Sequence, residues 1–201
     1  FDVSKLRQGI IGVGNISASK RLKLRIQKGN DKYDYDLNNK GQMEYFPLQM
    51  GNGEYKVVIY ENTSGTKYRT LESNSVSLNL ENSNVVYLNS IQNVFWTSQS
   101  KAIQFGQAEG GKKKDASGKF DLFYQHMVSV YAYDYEKAKT VATGYNPNID
   151  VMFNTKKGIC YDYSSLLAAL DRSNGIPTKL VKGYAAGVDG YHAWNEVFID
   201  G

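Results

Sequence analysis

The chain has 201 residues, 41% hydrophobic and 13% aromatic, enough to bury one large or two small cores. Its 24 lysines and arginines against 20 aspartates and glutamates leave a net charge of +4, and the basic residues are dispersed except for Lys112-Lys113-Lys114 among glycines and serine. A nucleic-acid partner is therefore not expected. A single cysteine excludes a disulfide within the chain, and no apolar run approaches the ~20 residues of a membrane-crossing helix.

The first hundred residues read as strands. Gly9 to Gly14 is apolar, Arg21 to Gln27 places Leu22, Leu24 and Ile26 on one face, Glu54 to Glu61 carries Tyr55, Val57 and Ile59, and Ser75 to Leu80 alternates again. Turn signals at Asn30-Asp31, Asn38-Asn39-Lys40-Gly41, Gly51-Asn52-Gly53 and Asn62 to Gly65 separate these runs. They predict roughly six to eight short antiparallel strands, hence a β-sandwich over residues 1–97. Asp34-Tyr35-Asp36-Leu37-Asn38 opens like a calcium loop, but Asn39 replaces the glycine of the sixth position and Glu44 falls one position early. A polar hairpin accounts for these residues. This module has no catalytic motif, so a binding or spacer role is expected of it.

Helical periodicity begins near residues 96 to 100, the predicted domain boundary, so the second domain is taken as 98–201. Ser98 or Ser100 can cap a helix through Ala108 that packs Ala102, Ile103 and Phe105, and Gly110 to Lys119 is a polar connector. A second helix spans Asp121 to Tyr131, with His126 in a packing or surface role. Tyr145-Asn146-Pro147 to Asn154 reads as a loop and short turn. Tyr161 to Arg172 is a third helix, with Leu166, Leu167 and Leu170 at helical spacing and Asn174-Gly175 and Pro177 as its stop. Thr178 to Ala186 and Tyr191 to Ile199 are strands, the second bounded by the turn signal Asp200-Gly201.

Cys160 stands at the start of the third helix, and His192 follows 32 positions later at the start of a strand. A lone cysteine is either a buried filler or a nucleophile with its base. Unpaired backbone N–H groups and the helix dipole favour a sulfur anion at a helix start. A histidine on an adjacent strand is the geometry a Cys–His pair needs. Papain-like proteases also order cysteine before histidine, but about 130 to 150 residues apart. Structural zinc wants four ligands, and one cysteine with two histidines does not supply them. No metal and no cofactor is expected.

The run from Lys157 through Gly158-Ile159-Cys160-Tyr161-Asp162-Tyr163 to Gly175-Ile176-Pro177 and Gly183-Tyr184, followed by His192-Ala193-Trp194, resembles the core of the bacterial transglutaminase-like superfamily. Cysteine opening a helix, a Gly-Ile-Pro turn, a strand ending in Gly-Tyr and a strand beginning His-Ala-Trp are four landmarks in family order. The likeness covers about Tyr124 to Gly201, including Tyr133-Asp134-Tyr135-Glu136-Lys137-Ala138 ahead of the cysteine. It implies an α+β core of the papain-like superfamily behind the antiparallel β-sandwich, cut short at its C-terminal sheet. It also implies a Cys-His-Asp triad in which Cys160 attacks an amide carbonyl and His192 acts as base and then acid. The family's third residue lies one strand further on, so the carboxylate is expected a few residues beyond Gly201. Asp200 would be roughly 26 Å from His192 along one strand and Glu196 roughly 13 Å, while Asn195 has the opposite parity.

The expected function is cysteine-dependent acyl transfer on protein or peptide amides, through a thioester on Cys160 resolved by water or an amine, as in peptidases or transglutaminases. The N–H of Cys160 would hold part of the oxyanion; Tyr161 is expected at the substrate and Trp194 either shields the pair or packs in the core. The rival expectation is a catalytically silent surface binding or adhesion protein that keeps the fold as scaffold. The start at Phe1 suggests a removed upstream segment. With the β-rich front half and the likeness to bacterial surface proteins, this gives an extracellular or cell-surface address, with a cell-wall-associated protein or peptide as substrate.

Overall fold

Alternating apolar residues build the first half of the molecule. In a computed structural model, which describes residues 1–199, the chain divides into two units, Phe1–Val86 and Tyr87–Gly201. The first contains β1 (Ile10–Val13), β2 (Leu22–Lys28), β3 (Asp31–Asp36), β4 (Glu44–Pro47), β5 (Gly53–Ser64) and β6 (Lys67–Leu78). They form a four-stranded antiparallel sheet in the order β3-β2-β5-β6 and a two-stranded antiparallel sheet β1-β4. The two sheets share one core: Ile11, Val13 and Phe46 from the small sheet meet Leu24, Ile26, Val57, Ile59 and Val76 from the large one. Each such side chain contributes about 1.5–3 kcal/mol on burial. Tyr55 is buried with them because its hydroxyl accepts from the Met50 N–H at 2.9 Å and donates to the Gly51 carbonyl at 2.7 Å.

The would-be calcium loop is edge strand β3. Asp34 pairs with Arg25 at 2.7 Å and Asp36 with Arg21 at 2.8 Å, so these carboxylates are engaged across the β2–β3 ladder. Charge along an edge strand also discourages pairing with other chains.

The second unit contains α1 (Lys101–Gly110), α2 (Ala116–Val130), β7 (Ala132–Tyr133), α3 (Tyr135–Thr140), α4 (Ile149–Thr155), β8 (Lys157–Gly158), α5 (Cys160–Ser173), β9 (Thr178–Gly183) and β10 (His192–Val197). Helix α5 is its axis. Ser165, Leu166, Ala168, Ala169 and Leu170 are fully buried, and α1, α2, α4, β9 and β10 pack around them. Helix α1 comes so close that a Cβ at Gly106 would lie 2.7 Å from Leu170 Cδ2. Among the described residues no helix is long and apolar enough to cross a membrane.

The division between units precedes the expected 97/98 boundary. Residues 87–99 carry no repeating pattern, but the carbonyls of Asn89 and Asn93 accept from Arg172 Nη1 at 2.8 Å and Ser165 Oγ at 2.9 Å, which ties this segment to α5. Ile91 and Val94 are buried alongside. Residues 149–155, expected as loop and turn, are helix α4, capped by the Asn148 side chain and anchored by buried Ile149 and Met152.

Candidate active site

Ile159 precedes α5 with extended backbone, φ −97° and ψ 173°, and its N–H donates to the Asp162 carboxylate at 2.9 Å. That bond turns the chain sharply into the helix and makes half-buried Cys160 its first residue. Asp162 is only 2% exposed and does more than complement the helix dipole. Its carboxylate also accepts from Lys137 Nζ at 2.7 Å and from the Tyr145 hydroxyl, which binds α3 and the following loop to the start of α5. Burial opposes the charge of Lys137, yet its hydrogen bonds to Asp162 and Tyr145 raise its pKa overall. Tyr145 is raised above the ordinary tyrosine range by burial first and by Asp162 second.

The short parallel pair β7–β8 sets Tyr133 beside Gly158, two residues before Cys160. Burial first, then the neighbouring Cys160, raises the Tyr133 phenol above the ordinary tyrosine range. Strand pairing thus brings the Tyr133 phenol to the neighbourhood of the Cys160 thiol.

His192 opens β10 in register with Gly183 of β9, followed by Ala193 opposite Lys182 and Trp194 opposite Val181. Asn195 fastens this strand, its side-chain amide donating to the Ser164 carbonyl of α5 at 2.9 Å and the Lys179 carbonyl at 3.1 Å. One cleft of about 420 Å³ results. It is lined by residues 141–145, by Ile159, Cys160 and Tyr161 at the helix start, and by Lys182, Tyr191, His192 and Ala193.

The structure therefore brings Cys160, His192 and Tyr161 to one cavity. It does not bring Trp194 there. The indole lies over Gly183, where a Cβ would come within 3.4 Å of the ring, so it covers the strand pair outside the cleft lining. Glu196 faces Lys179 at 3.1 Å, an exposed ion pair well along the strand. Asp200 lies outside the described residues. One wall of the cleft is formed by residues 141–145, ahead of helix α4. His126 stacks on Phe105 with ring centroids 4.4 Å apart, and burial lowers its pKa, in keeping with packing. Among the described residues no group of three or more His, Cys, Asp or Glu is placed to hold a metal ion.

Three residues near the cysteine went unnoticed in the sequence. Tyr133 and Tyr145 lack any local signal, since it is strand pairing and the Asp162 network that carry them in. Lys182 had one: it precedes the Gly-Tyr landmark and so faces the His-Ala-Trp strand.

Residues 104–201 match the family described as the transglutaminase-like superfamily. Among solved structures, the chain resembles "a Putative Cysteine Protease from Cytophaga hutchinsonii" at TM-score 0.50 and 16% identity, over 95% of this chain and 67% of that one, a likeness of fold. No curated protein matches the sequence. With an α5 that opens on cysteine and packs against a strand opening His-Ala-Trp, the matched region identifies the second unit as a domain of the transglutaminase-like superfamily.

Proposed function

We propose that the protein transfers acyl groups from protein or peptide amides through a thioester on Cys160. The observation that carries this reading is the shared cleft of Cys160 and His192, with β10 fastened to α5 by Asn195. His192 takes the thiol proton as sulfur attacks the amide carbonyl, and returns it to the departing amine as the C–N bond breaks. Water or a second amine then attacks the thioester, giving up a proton to His192 and releasing Cys160. Water yields hydrolysis and an amine yields a crosslink. The Cys160 N–H at the start of α5 is a donor for the oxyanion, and such a donor is typically worth about 3 kcal/mol. An extracellular or surface setting, and a carboxylate supplied to His192 by residues after Gly201, belong to the same proposal.

The test offers casein and a fluorescent alkylamine to the protein. Peptide release or amine incorporation is expected, abolished in Cys160→Ala and reduced about 10²- to 10⁴-fold in His192→Ala. In parallel, Cys160 should react with iodoacetamide at pH 6 faster than free glutathione does. Neither product, together with a thiol no faster than glutathione, would leave the fold as a binding scaffold without chemistry.

A further inference from the structure

We infer that Lys182 makes this cleft selective for substrates that carry a carboxylate beside the reacting acyl group. The inference rests on the acyl-transfer reading and adds the substrate class to it. Among the cleft-lining residues Lys182 alone is a lysine, arginine, aspartate or glutamate; the rest are small, aliphatic, tyrosine, threonine, the thiol and the imidazole. Its ammonium stands 4.6 Å from the centroid of the Tyr161 ring, the residue after the nucleophile, and its backbone faces Ala193, the residue after His192. The charge is thus held beside the residue that follows the nucleophile, on the strand paired with the one that carries His192.

The other cations around the site are engaged. Lys137 is bonded to Asp162, Lys157 lies 3.3 Å from Asp134, and Lys179 lies 3.1 Å from Glu196. Lys182 has no carboxylate partner among the described residues. Its side chain is accessible to solvent, so a ligand can reach it, while the protein packed around the ammonium lowers its pKa. A cation held over an aromatic ring gains a little there, but a carboxylate entering the cleft would satisfy it better through a charge-assisted hydrogen bond. The carboxylate can belong to an acidic side chain or to a peptide C-terminus.

Three chloroacetamides test this on the intact chain, whose only cysteine is Cys160. Chloroacetyl-glycinamide is neutral, chloroacetyl-glycine bears a terminal carboxylate, and chloroacetyl-glutamic acid diamide, hydrolysed at its side chain only, bears a side-chain carboxylate. In each, sulfur displaces chloride and the labelled protein is counted by mass spectrometry. The readout is the rate ratio of an acidic to the neutral probe, divided by the same ratio for glutathione, so changes in the thiol's own reactivity cancel. A ratio of about ten is expected for at least one acidic probe, below the roughly hundredfold Boltzmann weight of a unit charge pair about 6 Å apart near a protein surface because solvent screens the exposed ammonium. It should collapse toward one in Lys182→Met, persist in Lys182→Arg, and shrink with added salt. The acidic probe that shows it tells a side-chain acid from a chain terminus. A wild-type ratio near one, or a ratio unaltered by Lys182→Met, overturns the inference while leaving acyl transfer standing. A neutral probe that labels Cys160 no faster than glutathione counts instead against the acyl-transfer reading, and the inference falls with it.

Discussion

Asp171 shows how far a single side chain can depart from its sequence neighbourhood. It lies on α5 fully buried, one oxygen accepting from the Thr178 hydroxyl at 3.1 Å and the other without a partner. Burial pushes its pKa from 3.8 up to about 7, against the pull of Thr178 and Arg172. Between pH 3.8 and about 7 the folded protein holds a proton that the unfolded chain has lost, so this group makes stability fall as pH rises and levels off above that window. The effect is at most about 4 kcal/mol. Asp171→Asn keeps the acceptor for Thr178 without the charge, and its stability advantage over wild type should grow from pH 4.5 to pH 7.5 in urea titrations. An advantage independent of pH would show that the carboxyl is not protonated in the fold. His126, lowered by burial, drives stability the opposite way with pH, and the difference between variants cancels it. At this scale the places of Cys160 and Tyr161 at a helix start and of His192 at a strand start were legible, because such starts carry a sequence signature. Trp194 stayed open between shielding and packing, since where its ring comes to rest depends on the bare Gly183 diagonal to it across the strand pair.

Elements meet at the site through the carboxylate of Asp162, which links α3, the 141–145 wall and α5. Removing Lys137 would leave that carboxylate buried with less compensation. Lys137→Met is expected to destabilise by about 2 kcal/mol, below the usual 3–5 for a broken buried pair because the lysine keeps some solvent contact. Coupled with Asp162→Asn, the double variant should lose less than the sum of the single ones, by about 1 kcal/mol in a denaturation cycle. Strict additivity would mean that the two groups do not act together. The long amphipathic elements, β2, β5, α1 and α5, were readable from periodicity. Strand β3 was missed because Asp31–Asp36 is dominated by charge, with only Tyr35 packing on the core beside Phe46, and is held by its ladder and the arginines of β2 or just before it. Helix α2 starts earlier than expected because Asp115 caps it, its side chain accepting from the Gly118 N–H at 2.7 Å. The two-residue strands β7 and β8 are too short to leave any pattern.

At the scale of the molecule, each unit has its own core. Leu24→Ala in the first unit and Leu166→Ala in the second, both fully buried, should each cost about 3 kcal/mol in the unfolding of their own unit. Only the second should alter the iodoacetamide rate of Cys160, since α5 carries both the leucine and the thiol. A changed rate in Leu24→Ala would show that the units do not fold separately.

The β-sandwich followed by an α+β unit, the helix that opens on Cys160 and the strand that opens on His192 follow from the sequence, because hydrophobic period, caps and turn residues are local signals. The landmarks that mark the superfamily are likewise contiguous stretches of chain. Only the tertiary structure decided that Arg172 draws residues 87–99 into the second unit, that Asp162 holds Lys137 and Tyr145, and that Lys182 shares the cleft with the thiol and the imidazole. Those relations join residues far apart in sequence through hydrogen bonds and strand register, and no local periodicity encodes which distant group will arrive.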